Sequence, residues 1–241
     1  MVAGPNGGYL AAIVVRALAA EVADRPLRSL TVHYMRAPEA GEALLKVGIE
    51  RAGRSVTFAG VRFEQGGVPF ATAQAVLAVD RTGLSDGIKG GHRPPLQPPT
   101  APSVASPDEI ETIPDFDQAP PFARNFHFRP AIGAVPFSGA DEALTGGWLR
   151  LREPRTLDAA TLVALCDSWY PAVFATTESP LAVPTLDLTV HLRAPLPRPD
   201  DWVLGLYRTR LARDGFLDED ATLWSREGDL LAQSRQLAIA L

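Results

Sequence analysis

Apolar and polar residues alternate through Thr185-Leu186-Asp187-Leu188-Thr189-Val190-His191-Leu192, leucine and valine falling on one side, threonine, aspartate and histidine on the other. A period of two is the mark of a half-buried strand, and the Ala194-Pro195 that follows cannot continue a hydrogen-bonded ladder. The chain has used this wording once already: residues 30–38 read Leu-Thr-Val-His-Tyr-Met-Arg-Ala-Pro and residues 188–195 read Leu-Thr-Val-His-Leu-Arg-Ala-Pro. Such self-similarity points to a duplicated unit. Strand-like runs at 43–51, 59–63 and 73–79 are answered by runs at 203–210, 221–224 and 231–241, with turns at Gly66-Gly67 and Gly228-Asp229. Each half is predicted to be a helix followed by antiparallel strands on short turns.

Residues 10–22 are alanine, leucine and valine on nearly every side, Arg16 and Glu21 excepted, which predicts a buried helix. Gly4-Pro5-Asn6-Gly7-Gly8-Tyr9 leads into it, and the glycines serve either a close approach of backbone to something else or a plain tight turn. In the second half, strands are predicted over 122–130 and 148–151. A second buried helix follows from Asp158 to about Phe174, capped by Thr156 or Asp158 and kinked or shortened by Pro171. Between the halves, residues 81–121 lose all periodicity and fill with proline and glycine, as a draped or partly disordered linker would. The expected organisation is therefore a first unit over 1–80, a linker over 81–121 and a second unit over 122–241.

The 241 residues, 46% of them hydrophobic, suffice for one large or two ordinary domains without staples. A net charge of -5 offers no broad attraction to nucleic acid or anionic membrane, though it leaves room for a local basic groove. The lone Cys166 rules out an intrachain disulfide framework and suits a reducing cytoplasm. The apolar run at 10–20 is too short to span a bilayer, and no signal peptide is read.

Asp167 is the best catalytic candidate from the residues alone: a carboxylate predicted within an apolar helix must be paired, hydrogen-bonded or functional, unless it faces the loop. Setting Leu30 on Leu188 places Leu27 on Thr185, Ser29 on Asp187, and Arg16 or Ala17 near Asp167. Only the second copy then offers both an acid and a hydroxyl, through function or through drift. Gln236 shares a strand face with Ser234 and Ala238 and could hold a water, although Gln74 stands at a similar place in the first copy. The four histidines form no metal-binding spacing, and no nucleophile elbow, dinucleotide loop or Walker loop occurs, so neither metal nor cofactor is expected. Cys166 reads as a small buried thiol.

The glycine-rich start of a long helix, the Leu-Thr-Val-His-Tyr-Met-Arg-Ala-Pro strand and the duplication across a proline-rich linker together resemble the double hotdog acyl-CoA thioesterases related to bacterial thioesterase II. The resemblance implies an α+β fold of two antiparallel sheets, each wrapped on a long central helix and joined side by side. Relatives usually carry a strand before the glycine-rich turn, so the first half is expected to lack that strand or to have been truncated. The resemblance further implies Asp167, Thr185 and Gln236 as the catalytic set, acyl-CoA as substrate, hydrolysis to a free acid and CoA, and a homo-oligomer. Gly7 and Gly8 are expected to bind the substrate oxyanion through backbone N–H groups. Two other readings remain: a noncatalytic acyl-CoA or lipid-binding protein, and an enoyl-CoA hydratase for which His191, facing with Thr185 and Asp187, is the only nearby histidine.

Overall fold

The computed structural model describes residues 4–80, 97–114 and 119–241. The chain opens on helix α1 (Gly7–Glu21), followed by strands β1 (Leu27–Tyr34), β2 (Leu44–Ala52), β3 (Val56–Gln65) and β4 (Val68–Ala78). The second half runs β5 (Phe126–Gly133), β6 (Leu144–Leu151), α2 (Ala159–Leu165), β7 (Thr185–Leu192), β8 (Val203–Arg208), β9 (Ala212–Arg213), β10 (Phe216–Trp224) and β11 (Leu230–Ile239). The expected pair of sheets is a single antiparallel 11-stranded sheet in the order β2-β3-β4-β1-β7-β11-β10-β8-β6-β5, with β9 on β10.

The repeated phrase forms the seam. β1 pairs antiparallel with β7, Leu30 opposite Val190 and Val32 opposite Leu188, and Thr31 lies opposite Thr189 with their hydroxyls 3.0 Å apart. Because Thr31 and Thr189 are the same residue of the repeat, a local two-fold relation passes between them. Leu30, Val32, Leu188 and Val190 turn to one face, where they join Leu10, Ala11, Val14, Val15 and Leu18 of α1 in one core with Leu162, Val163 and Leu165 of α2. Each fully buried aliphatic side chain there contributes about 1.5–3 kcal/mol.

Among the described residues the expected second long helix is cut short. α1 runs for 15 residues, but α2 ends after 7 at Leu165, and Asp167 lies beyond it in a turn closed by the Asp167 and Ser168 amides on Ala164 and Leu165. Pro171 explains the stop: it has no amide to donate, and its ring would meet the carbonyl of Asp167 in a continued helix. The exposed end is satisfied from outside, the Leu165 carbonyl accepting from the Tyr207 hydroxyl at 2.7 Å and the Ser168 hydroxyl at 3.1 Å. A five-residue 3-10 turn, Ala172–Thr176, follows Pro171.

Residues 81–96 of the expected linker lie outside the described residues. Residues 97–114 are a strap on the outer face of the second half, where Trp148, Trp202, Leu204 and Trp224 pack with Ala101, Val104 and Ile110. Trp224 and Trp148 donate their indole N–H groups to Pro99 and Ala105 carbonyls, both at 2.9 Å. Proline removes donors but not acceptors, so a chain of low periodicity can still be held by indoles. In the second half β6 and β5 extend the sheet past β8, whereas past β2 the described residues add nothing. Leu44 and Ile49 on β2 are 53% and 46% exposed.

Candidate active site

The start of α1 lies against the turn after α2, and glycine permits it. A methyl group on Gly8 would come within 2.8 Å of the Asp167 Cβ and 2.9 Å of the Ala164 carbonyl oxygen. With none there, the Gly8 amide donates to Asp167 Oδ2 at 2.7 Å. Asn6 does two jobs. Its Oδ1 caps α1 by accepting from the Tyr9 amide at 2.9 Å, and its Nδ2 donates to the Asp167 carbonyl at 2.8 Å and to Asp167 Oδ2 at 3.0 Å. The helix-start amides thus do meet negative charge, but for Gly8 that charge is the carboxylate of Asp167. Gly7 presents its carbonyl to the Tyr34 hydroxyl at 2.7 Å.

Burial pushes the Asp167 carboxyl up to about 6, and the Gly8 amide, the Gln236 side chain and Asn6 restrain the rise by hydrogen bonding to the charged form. Replacing Asn6 with alanine should therefore cost about 1 kcal/mol of stability as a lost cap. It should also move the Asp167 midpoint upward from about 6, which a carboxyl-carbon NMR titration would read. An unmoved midpoint would mean that the Asn6 contact does not bear on the acid.

Thr185 reaches the same place through an irregularity. Strict alternation puts it outward with Asp187 and His191, but β7 slips against β11: Asp187 pairs with Leu237 and Thr185 with Ala238, leaving Leu186 as an extra residue. One inserted residue reverses the facing of everything beyond it. Thr185 consequently turns inward with Gln236, and its hydroxyl lies 2.8 Å from Gln236 Oε1 as donor. The same slip occurs in the first copy, where Arg28 is the extra residue between the pairs Leu27–Leu77 and Ser29–Val76. The counterpart of Thr185 is thus Leu27. That of Gln236 is Ala75, which faces Leu30 as Gln236 faces Leu188, and not Gln74, which is exposed. The first copy carries two apolar residues where the second carries a hydroxyl and an amide. The slip also separates His191 from Thr185: His191 is exposed on the opposite face with Asp187.

Asp167, Thr185 and Gln236 line one cavity of about 580 Å³, with Gly7, Tyr34 and Phe174 among its walls. Two further members were not singled out from the sequence. Burial lifts the Tyr34 hydroxyl well above its ordinary range, with the charges of Asp167 and Asp187 adding to the effect. Glu219, paired in register with Gln236 across β10 and β11 and 7% exposed, accepts from the Ala172 amide at 2.6 Å. Burial pushes its carboxyl up to about 8 against that hydrogen bond, and the negative charge of Asp167 raises it further. Asn6 had a sequence signal, since it is a capping residue before a helix; Glu219 sits in a run of acids, Asp218-Glu219-Asp220, that reads as a solvated face. Cys166, behind Asp167, is fully buried and its thiol is pushed up to about 12 by burial, which suits an inert core residue.

Residues 99–240 match the family model described as the acyl-CoA thioesterase C-terminal domain, and residues 1–78 match that of the acyl-CoA thioesterase N-terminal domain. An uncharacterised protein of Mycobacterium tuberculosis H37Rv is 27% identical over 253 residues, covering 97% of this chain and 85% of that protein. Among solved structures, a protein of unknown function with a hot dog fold from Alicyclobacillus acidocaldarius superposes with a TM-score of 0.85 at 28% identity, covering 99% of this chain and 88% of the other. The acyl-CoA thioesterase II TesB2 of Mycobacterium marinum has the same fold, with a TM-score of 0.73 at 18% identity over 97% of this chain and 90% of that one.

Proposed function

We propose, for a chain that belongs to the acyl-CoA thioesterase family, that Asp167, Thr185 and Gln236 hydrolyse an acyl-CoA thioester with a water held between them. We read the two halves as two hotdog units fused at β1 and β7, only the second keeping the reactive groups. The observation that carries the proposal is that Asp167, Thr185 and Gln236 line one cavity, in which the Thr185 hydroxyl donates to Gln236 Oε1 at 2.8 Å and the Gln236 side chain favours the charged form of Asp167.

Thr185 fixes which way the amide points. With Oε1 occupied by the hydroxyl, the Gln236 N–H groups are left for Asp167 and a water. A carboxyl titrating near 6 is mostly ionised at pH 7 yet still basic enough to take a proton in the transition state. Water oxygen then attacks the thioester carbon while its proton passes to Asp167, and collapse of the tetrahedral intermediate expels the thiolate of CoA. As Asp167 gains that proton its grip on the Gly8 amide slackens. The start of α1, where Gly7 and Gly8 lie, favours the negative charge forming beside it.

Thiol release from a series of acyl-CoAs of graded chain length should show turnover for at least one member. No release from any of them, together with saturable binding, would instead make the protein a noncatalytic acyl-CoA carrier.

A further inference from the structure

Among the described residues β2 ends the sheet on its side, so its outward edge pairs with no other strand there. An edge of this kind turns a row of N–H and C=O groups to solvent, ready to pair with a further strand. The fold itself shows what such an edge takes. β8 is the counterpart of β2 in the second half, and β6 lies antiparallel against its far side with Gly147 opposite Gly205.

β2 reads Leu44-Leu45-Lys46-Val47-Gly48-Ile49-Glu50-Arg51-Ala52. Leu45 and Val47 turn inward to the core, and Ile49 continues their period opposite the buried Ala59, although it is itself 46% exposed. Lys46 and Gly48 turn outward, in register with Arg62 and Gly60. Glu50 is the extra residue of a slip against β3, and its carboxylate lies over Gly60 on the same outer face, 3.0 Å from where a methyl group on that glycine would stand. Opposite charges thus flank Gly48 at equal steps on one face, and Val47 and Ile49 flank it on the other.

Turned end for end about Gly48, the strand meets its own complement. Lys46 then stands opposite the second copy's Glu50, and Val47 opposite the second copy's Ile49, which covers the exposed isoleucine. Just beyond the strand Glu42 and Arg54, both exposed, fall at matching distances from Gly48 and approach across the same axis. Opposite charges facing each other across a strand pair stabilise it, and like charges oppose it. Moving the axis to Val47 or Ile49 removes these charge matches. Gly48 leaves the crossing clear, since even a Cβ there would meet nothing within 4 Å. A lysine and a bulge also serve to keep an edge strand single. Charges of one sign suffice for that, whereas β2 carries both signs in self-complementary order.

We propose that β2 pairs antiparallel with β2 of a second copy of this chain about a two-fold axis at Gly48, joining two sheets into one. Every match then occurs twice, as in any contact between identical surfaces. Thr185 and Gln236 stand on β7 and β11, past the seam from β2, so the pairing does not depend on the thioesterase reading.

Sedimentation equilibrium should return a mass approaching twice that of the 25.8 kDa chain. Two variants then locate the contact. Gly48→Lys sets two like charges against each other at the axis, where the single chain has room for the side chain. Glu50→Lys sets a lysine opposite Lys46 twice. Each should raise the dimer dissociation constant about tenfold or more at low salt while leaving the near-UV circular dichroism unchanged, and Gly48→Ala should associate as the wild type does. Added salt should weaken the wild-type dimer and strengthen the Glu50→Lys dimer, because it screens attraction in one and repulsion in the other. A wild-type protein that stays monomeric at every concentration would overturn the proposal. So would a dimer indifferent to both variants, which would lie on another surface. Loss of association in Gly48→Lys but not in Glu50→Lys would overturn the register. If Gly48→Lys does not fold, Glu50→Lys and its salt dependence decide alone.

Discussion

Asp167→Asn should lower kcat by about 10²- to 10⁴-fold, the usual worth of a positioned general base. In the wild-type protein kcat/KM should rise with pH through about 6, where the Asp167 carboxyl ionises, because only the charged form can take the water's proton. The variant should lose that limb and keep a low, flat rate. The same substitution should strengthen the fold. The folded carboxyl titrates near 6 against an ordinary 3.8, so the stability it contributes is fully present below about 3.8 and is lost as pH rises through 6. At pH 7 the neutral amide avoids that loss, a gain of about 3 kcal/mol, because each tenfold change in proton affinity between the folded and unfolded chain is worth about 1.4 kcal/mol. A less active but more urea-resistant protein is thus expected, and it excludes unfolding as the cause of lost turnover. Full turnover by a folded Asp167→Asn protein would remove the proposed base, and full turnover by Gln236→Ala would remove the proposed water clamp.

Glu219→Gln should stabilise the protein at pH 7 by about 3 kcal/mol, with a gain that depends on pH. The folded carboxyl titrates near 8 and its ordinary value is 4.5, so between those limits the folded state holds a proton that the unfolded chain releases. Stability from this group is whole below about 4.5 and falls steadily as pH climbs toward 8. The amide has the shape of the protonated acid and can still accept from the Ala172 amide. Urea midpoints of the two proteins should therefore coincide near pH 4.5 and separate progressively up to pH 8. A separation that does not change with pH would show that Glu219 carries no buried proton. Because Asp167 bears on the titration of Glu219, the gains from Asp167→Asn and Glu219→Gln should not add.

The duplication, the strand periods and the apolar body of α1 were legible because each is a local regularity repeated over several residues. The resemblance implied only that two sheets join side by side; the structure makes the repeated strands themselves the seam, β1 on β7, as identical strands with one buried face can pair across a two-fold relation. The extent of α2 was misread because its apolar pattern runs on past Leu165 while hydrogen bonding does not. Alternation alone put Thr185 beside His191, and that reading failed at the single extra residue Leu186, whose presence depends on how the neighbouring strand is paired. Gln236 was matched to Gln74 by its place near the end of its half, whereas strand pairing makes Ala75 its counterpart.

Residue order by itself determined the repeated strand phrase, the alternation of the strands and the apolar body of α1, since these follow from side-chain period and backbone chemistry within short windows; it set Asp167 inside a helix that in fact ends at Leu165. Only the tertiary structure decided that Thr185 turns inward, that Asn6 and Gly8 hold Asp167 from 159 or more residues away, and that Glu219 is buried at all. Strand register and desolvation are set by contacts between distant segments. A one-residue slip exchanges the faces of a strand, and burial turns an ordinary surface acid into one that keeps its proton at neutral pH.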